Sequence, residues 1–385
     1  FFSSRRRHTR VAVTGVQTCA LPICRFTEGA RGSGDGRLTL RLGIPLAKTE
    51  ATTVVGGMQF LGSQIQLDPD MPTFAQINGR LDFTERSVTA RGIQTQLLGG
   101  AATVGVQTRS DGAIQVSAQG NAATRELRRL LDMPQLARLS GTLPWRGNLL
   151  VRRGAYELTL DSDLRGVAID LPAPLGKAAN EAMPLRIERT NASDAETLRR
   201  FGNARLPARG DLTALTIGRA PGQINLLFPR QRDGQRWLME RLSIGLNEAP
   251  QWPLAAAGIQ VNGTLPALDV NRWLGVMDDA PGAANASTAA ATAAASAAAS
   301  TAAAVTLPAL SALNLRIGTL DVIGKRLHEV VLRANAVAAP VASSAMNATA
   351  NATANPVANS AAASNAPSSW TAQLGAREEI GRAHV

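Results

Sequence analysis

Histidine, cysteine and aromatic side chains are scarce in this chain: its 385 residues hold 3 His, 2 Cys, 1 Tyr and 4% aromatics in all. His8 and His384 lie within a few residues of the ends, which leaves His328 for any chemistry in between. A Ser-His-Asp triad needs a histidine flanked by partners, and a His-rich metal site needs at least two. His328 alternates with Leu327 and Val330 in "GKRLHEVVLRA" and reads as a strand surface residue. Cys19 and Cys24 both fall at the start, so the remainder has no thiol for a disulfide framework, a zinc site or nucleophilic attack. Too few aromatics interleave with the scattered basic residues to stack bases, which argues against a nucleic-acid partner. No run of about 18 apolar residues occurs, so this segment has no membrane-spanning helix and any anchor is expected outside it. A phosphate-loop motif is missing too. "GARGSGDG" (Gly29–Gly36) has neither a strand before it nor a helix after it, and reads as a turn. Asp161 and Asp163 in "LDSDL" share one strand face, as a solvated edge does. No catalytic, cofactor-binding or metal-ligating residue is assigned, and the chain is not expected to be an enzyme.

The two ends read poorly as protein. "VTGVQTCALPI" (Val13–Ile23) follows "SSRRRHTR" in the manner of a signal peptide, but Thr14, Gly15, Gln17 and Thr18 interrupt the apolar core of about 7–15 residues that such a segment needs. Thr18–Ile23 and Glu379–Val385 can be encoded by one DNA word read on opposite strands, and that word resembles a sequencing-library adapter. Ser4–Arg10 matches the adapter of the other side. Residues 1–23 and 379–385 are therefore expected to be adapter-derived, and the rest an internal piece of a longer protein. Leaving out Arg5, Arg6, Arg7, Arg10, Arg382 and Glu379 takes the formal charge from +11 to +7, a mild basic excess.

What is abundant is alternation. Short stretches with a period of two, separated by Gly, Asp or Asn, run through the chain and predict a mainly β, mostly antiparallel architecture with short helices. "AQINGRLDF" places Ile77, Leu81 and Phe83 on one face. In "AATVGVQTRSDGAIQVSAQG" the turn Arg109–Gly112 predicts a hairpin, with Val104 and Val106 on one side of one strand and Ile114 and Val116 on one side of its partner. Two helices follow strands: one with Asn121 as its expected cap, one with Asp269. "AIQVSAQG" and "GIQVNG" before them form a weak strand–Gly–helix repeat. Gly282–Ala304 is nearly all Ala, Ser and Thr, and Ala334–Ser368 is rich in Ala, Asn and Ser. Neither tract has an apolar stripe to bury, so both read as flexible insertions within a continuing sheet.

"SDLRGVAIDLPAPLGKAANEAMPLRIE" (Ser162–Glu188) is the most individual stretch, a strand broken sharply by Pro172, Pro174 and Gly176. It resembles the core of the bacterial YhdP family, in the AsmA-like group. Further pieces fit that family in the same order: "GDGRLTLRLGIPL", "INGRLDFTERSVTARGIQTQLLGG", "LSGTLPWRGNLLV", "GIQVNGTLPALDVNRWL", and "LNLRIGTLDVIGKRLHEVVLRA" followed by Trp370. The resemblance covers nearly all of residues 34–376 and divides the chain into a β-groove segment (24–281), the insertion 282–304, a groove continuation (305–333), the insertion 334–368 and the start of a further strand segment (369–378).

The resemblance implies a bridge-like lipid-transfer protein: a curved, repeating β-groove shaped like a half-pipe, held in the periplasm of a Gram-negative cell by an inner-membrane anchor outside this segment. Its implied role is to move phospholipid between inner and outer membranes and so support the outer-membrane barrier, with phospholipid as partner, no cofactor, and protein partners unknown. A β-rich scaffold for envelope assembly, without lipid transfer, is the alternative. An outer-membrane barrel would show aromatic girdles, which 4% aromatics do not supply. A secreted β-rich hydrolase would need a second histidine or a carboxylate cleft. Candidate lipid-facing residues are Ile77, Leu81, Phe83, Val104, Val106, Ile114 and Val116. Whether acyl chains or helices cover that face, and which face forms the groove, the residues alone leave open.

Overall fold

The computed structural model describes residues 30–43, 53–67, 71–131, 134–233, 236–252, 257–278, 308–337 and 369–378. Residues 1–23 and 379–385, both cysteines, the 282–304 tract and most of the 334–368 tract lie outside them.

Eight strands follow one another first, each antiparallel to the last: β1 (Arg31–Gly43), β2 (Thr53–Gln66), β3 (Phe74–Thr84), β4 (Val88–Leu97), β5 (Gly100–Thr108), β6 (Ile114–Ala123), β7 (Leu139–Arg152) and β8 (Ala155–Ser162). A crossover then carries β9 (Val167–Ile169), which makes a small separate ladder with the start of β7. The main sheet resumes with β10 (Leu185–Thr190) against β8, then β11 (Gly210–Ile217) and β12 (Ile224–Asp233), whose far end carries the short β13 (Arg236–Leu238). β14 (Arg241–Leu246) pairs with β12. β15 (Gly258–Asp269) and β16 (Leu310–Val322) join in parallel, and β17 (Lys325–Val337) and β18 (Ser369–Glu378) return to antiparallel pairing. Among the described residues, seventeen strands thus make one open, curved sheet in which spatial order follows chain order.

Local chemistry explains the turns. The hairpin between β5 and β6 closes through Gly112 N donating to Arg109 O (3.0 Å), with Gly112 at φ +79. Asp111 fixes its exit by accepting from Ala113 N at 3.0 Å. β15 is parallel to both neighbours, and a parallel neighbour requires a crossover connection. The one to β16 contains α3 (Val270–Asp278) and the Ala/Ser/Thr tract. Gly263 permits the β14–β15 approach: at φ +134, a Cβ on it would lie 2.1 Å from Leu246 O. Asp269 caps α3 as the sequence predicts, accepting from Arg272 N at 3.1 Å. The strand–helix repeat is also present, as β6 followed by α1 (Thr124–Leu131) and β15 followed by α3.

Two local expectations are corrected. Asn121 does not cap α1: it pairs with Pro144 inside β6, because the ladder to β7 holds the chain extended through Ala123. Gly29–Gly36 is not a turn from Arg31 onward. β2 supplies ladder partners for Arg31, Gly32 and Ser33, so the chain continues as a bulged strand.

The buried residues form separate clusters along the sheet. Ile77, Ala90 and Ile93 cluster on β3 and β4; Leu246, Leu265, Leu315, Ile317, Leu320 and Val330 cluster further along, with Val270 of α3 packed on them. Ala122, Leu143, Leu164, Val167 and Ile169 join the sheet to the crossover. Lys177 fastens that crossover from within, donating from Nζ to Leu164 O (3.0 Å), Ala178 O (2.9 Å) and Val167 O. Burial pulls its pKa below the ordinary lysine value, and the three carbonyls offset that cost. The fourth cluster (Phe201, Ala204, Leu212, Leu227) lies under α2 (Ala195–Arg200), whose Asp194 cap accepts from Thr197 N at 2.9 Å.

Candidate functional site

Residues paired across neighbouring strands share a sheet face, so register assigns faces strand by strand. Follow the partners from Gly36 on β1. They are Phe60, then Gly79, then Ile93, whose Cα lies 3.0 Å from where a Gly79 Cβ would sit. The row continues through Val104, Ala118, Gly147 and Leu160. It goes on through Ile187, Leu215, Leu226 and Ile244, then Val261, Leu313 and Ala334. Every position in this row is aliphatic, Phe or Gly. At about 4.8 Å between strands the row is roughly 65 Å long.

One residue away, on the opposite face, the matching row reads Asn78, Gln94, Thr103, Gln119, Arg146, Asp161 and Arg186, then Thr216, Asn225, Gly245, Asn262, Asn314 and Arg333. Apart from Gly245 it is polar throughout. Cross-strand bonds run along this face, such as Gln115 Nε2 to Asn148 Oδ1 (2.9 Å) and Arg186 to Asp161 (3.1 Å). Asp161 therefore forms a solvated ion pair, as its pattern predicts. His328 is half-buried opposite Thr319 on the β16–β17 ladder. Among the described residues no group of three His, Cys, Asp or Glu could hold a metal, and no helix is long and apolar enough to cross a membrane.

The sheet therefore has one apolar face. A second apolar row, Leu38, Met58, Leu81, Ala90, Val106, Val116, Leu149 and Leu158, runs beside the first. Val104, Leu160, Ile187, Leu215 and Leu226 are only half-buried, and Leu38 is 60% exposed. An apolar strip of this length is more than the scattered apolar residues that a soluble surface ordinarily exposes. One long edge of it is walled. The crossover cluster packs on Trp145, Leu185 and Ile217 of the apolar face. Trp273 Nε1 of α3 donates to Ala173 O at 3.2 Å, and Arg138 Nη2 to Val276 O at 3.3 Å, tying helix and crossover into one rim.

The structure brings the seven sequence candidates to this face. Val104 lies in the central row; Leu81, Val106 and Val116 lie in the second. Ile77 is buried with Ala90 and Ile93. Phe83 is half-buried, its ring over Gly56. Ile114 is fully buried between Thr108 and Val151. That makes Ile114 a packing residue: Ile114→Ala is expected to cost about 2–4 kcal/mol, read by urea unfolding.

A feature that the sequence did not disclose breaks the apolar face near the opposite edge. Asp211 is 1% exposed, and its Oδ2 accepts from Arg189 Nη2 (2.8 Å), Arg230 Nη2 (2.9 Å) and Tyr156 OH (3.0 Å). Arg230 Nε reaches Oδ1 at 3.0 Å. Burial pushes the Asp211 carboxyl up from the ordinary carboxylate range, and Arg189 pulls it back. Tyr156 is pushed up as well, by burial first. Arg189 stands directly beside Leu158, at the point where the second apolar row ends.

A model of the YhdP protein family matches residues 21–375. The chain belongs to the YhdP family. A YhdP relative from Escherichia coli (strain K12), named intermembrane phospholipid transporter YhdP, is 23% identical over 267 residues. That match covers 66% of this chain and 19% of the relative, so the chain spans about a fifth of that YhdP protein. No solved structure matches.

Proposed function

We propose that this chain is one stretch of a lipid conduit, the periplasmic body of an inner-membrane-anchored protein in a Gram-negative envelope that carries phospholipid between inner and outer membranes and so supports the outer-membrane barrier. The observation that carries the reading is the unbroken apolar row from Gly36 to Ala334. The transporter activity named for the E. coli relative and the family membership support it.

Energetics explain why such a row suits the task. Pulling one acyl chain of about fifteen methylenes through water costs on the order of 12 kcal/mol, at roughly 0.8 kcal/mol per methylene. A continuous apolar strip removes most of that barrier without trapping the lipid, since bilayer and strip are similarly apolar. The polar headgroup can stay in water along the open side. No bond is made or broken, so the reading needs no nucleophile, metal or cofactor.

Photo-crosslinkers at Leu160 and Leu226 should capture phospholipid in cells, while the same probes at Gln119 and Thr159 on the polar face should capture little. Equal labelling on both faces, or none on either, would sink the conduit and favour a β-rich assembly scaffold.

A further inference from the structure

The width of the strip varies along its length, and register shows where it is least. On β5 and β6 the central row and the row beside it are both apolar: Val104 with Val106, and Ala118 with Val116. On β12 and β15 the same two rows read Leu226 with Phe228 and Val261 with Ile259. Between them, on β10 and β11, the second row is Arg189 and Thr213. Ile187 and Leu215 of the central row continue the strip there alone.

Both sides of that single row are built. On one side the crossover packs on Leu185 and Ile217, each two residues along its strand from Ile187 or Leu215. Pro174 of the crossover also stands over Gly222 in the turn between β11 and β12, 3.3 Å from where a Cβ would lie. On the other side Arg189, Arg230 and Tyr156 close on Asp211 at 2.8, 2.9 and 3.0 Å. These groups satisfy one another and make a polar wall. An acyl chain laid over it would strip water from the exposed fifth of each guanidinium and offer no hydrogen bond in return. From Leu185 to Arg189 is about 13 Å along the strand, with one side chain's width left between two that are engaged. Hydrocarbon chains pack about 4 Å apart, so two rows about 6.6 Å apart carry two chains side by side, and a single row carries one.

We propose that β10 and β11 form a neck that admits acyl chains one abreast, so that lipids are sorted there by how many chains they carry. Ile187 and Leu215 line the neck; Arg189, Asp211 and Arg230 limit its width. The inference rests on the conduit reading and adds selectivity to it. A chain that finds no place on the row must cross two strands, about 10 Å, in contact with water, and two methylenes so exposed already slow passage about tenfold. The test compares phosphatidylglycerol, with two chains, and cardiolipin, with four, in transfer between vesicles by the full chain; the phosphoglycerol chemistry of their headgroups is shared. Wild type should move cardiolipin at least about tenfold more slowly than phosphatidylglycerol. Arg189→Met with Asp211→Leu and Arg230→Met, which makes the polar wall apolar, should remove most of that difference. Ile187→Phe with Leu215→Phe, which fills the neck from the sheet, should enlarge it. Both positions are half-buried on the strip, so this pair serves if urea unfolding shows the triple variant to be misfolded. Asp161→Ala on the polar face should leave the ratio of the two rates as in wild type. Equal rates for the two lipids in wild type, or a ratio that no folded neck variant shifts, overturns the neck and leaves the conduit. Failure of wild type to transfer phosphatidylglycerol overturns the conduit reading and the neck with it.

Discussion

Leu226→Glu is expected to slow lipid transfer about a hundredfold while the sheet stays folded. Leu226 lies in the central apolar row between Leu215 and Ile244 and is half-buried, so a carboxylate there can keep water in the absence of lipid and costs the fold little. When acyl chains cover it, the charge must be desolvated or must hold water in the path. Placing a charged side chain in a hydrocarbon environment costs about 3 kcal/mol on insertion scales, which converts to roughly two decades in rate. Gln119→Glu adds the same charge on the polar face beside Arg146 and should leave transfer within about twofold. The row is a path in series, which sharpens the test. Val104→Glu, on β5, should block as fully as Leu226→Glu, and the double variant should be no worse than either alone. Additive partial losses in a vesicle-to-vesicle transfer assay would point to independent binding patches and against a conduit.

Much of this architecture is visible in the sequence where one face meets water. Val104 and Val106, or Ile114 and Val116, alternate with polar residues, so their shared side can be read without a structure. β12 hides the same arrangement. Its "INLLFP" is apolar on both faces, because Leu226 belongs to the strip while Leu227 packs beneath α2 with Phe201 and Leu212. The parallel setting of β15 is equally silent, since a period of two looks the same in either direction. Asp269 is legible as a cap because nothing competes for it, whereas Asn121 is claimed by the ladder to β7. The Asp211 cluster is the hardest case. Arg189, Asp211 and Arg230 lie about twenty residues apart on three strands, and only the register of β10, β11 and β12 puts them together. Each alone reads as an ordinary charged strand residue.

That cluster should also dominate the response to mutation. Asp211→Ala is expected to destabilise the fold by about 3–5 kcal/mol, because it leaves two guanidiniums and a buried phenol without their acceptor. Arg189 and Arg230 are about a fifth exposed, so partial escape to water should bring the loss toward the lower figure. Asp161→Ala is the contrast. Its pair with Arg186 has nearly the same geometry at 3.1 Å, but both side chains are half exposed, and such pairs contribute no more than about 1 kcal/mol. Urea unfolding of the two variants against wild type measures the difference; similar losses would mean that burial does not set the strength of the Asp211 pairings. A triple replacement, Arg189→Met with Asp211→Leu and Arg230→Met, removes charges and acceptor together and should recover most of the stability lost in Asp211→Ala. It would also leave apolar residues where the second row now meets Arg189, extending that row without its charged interruption.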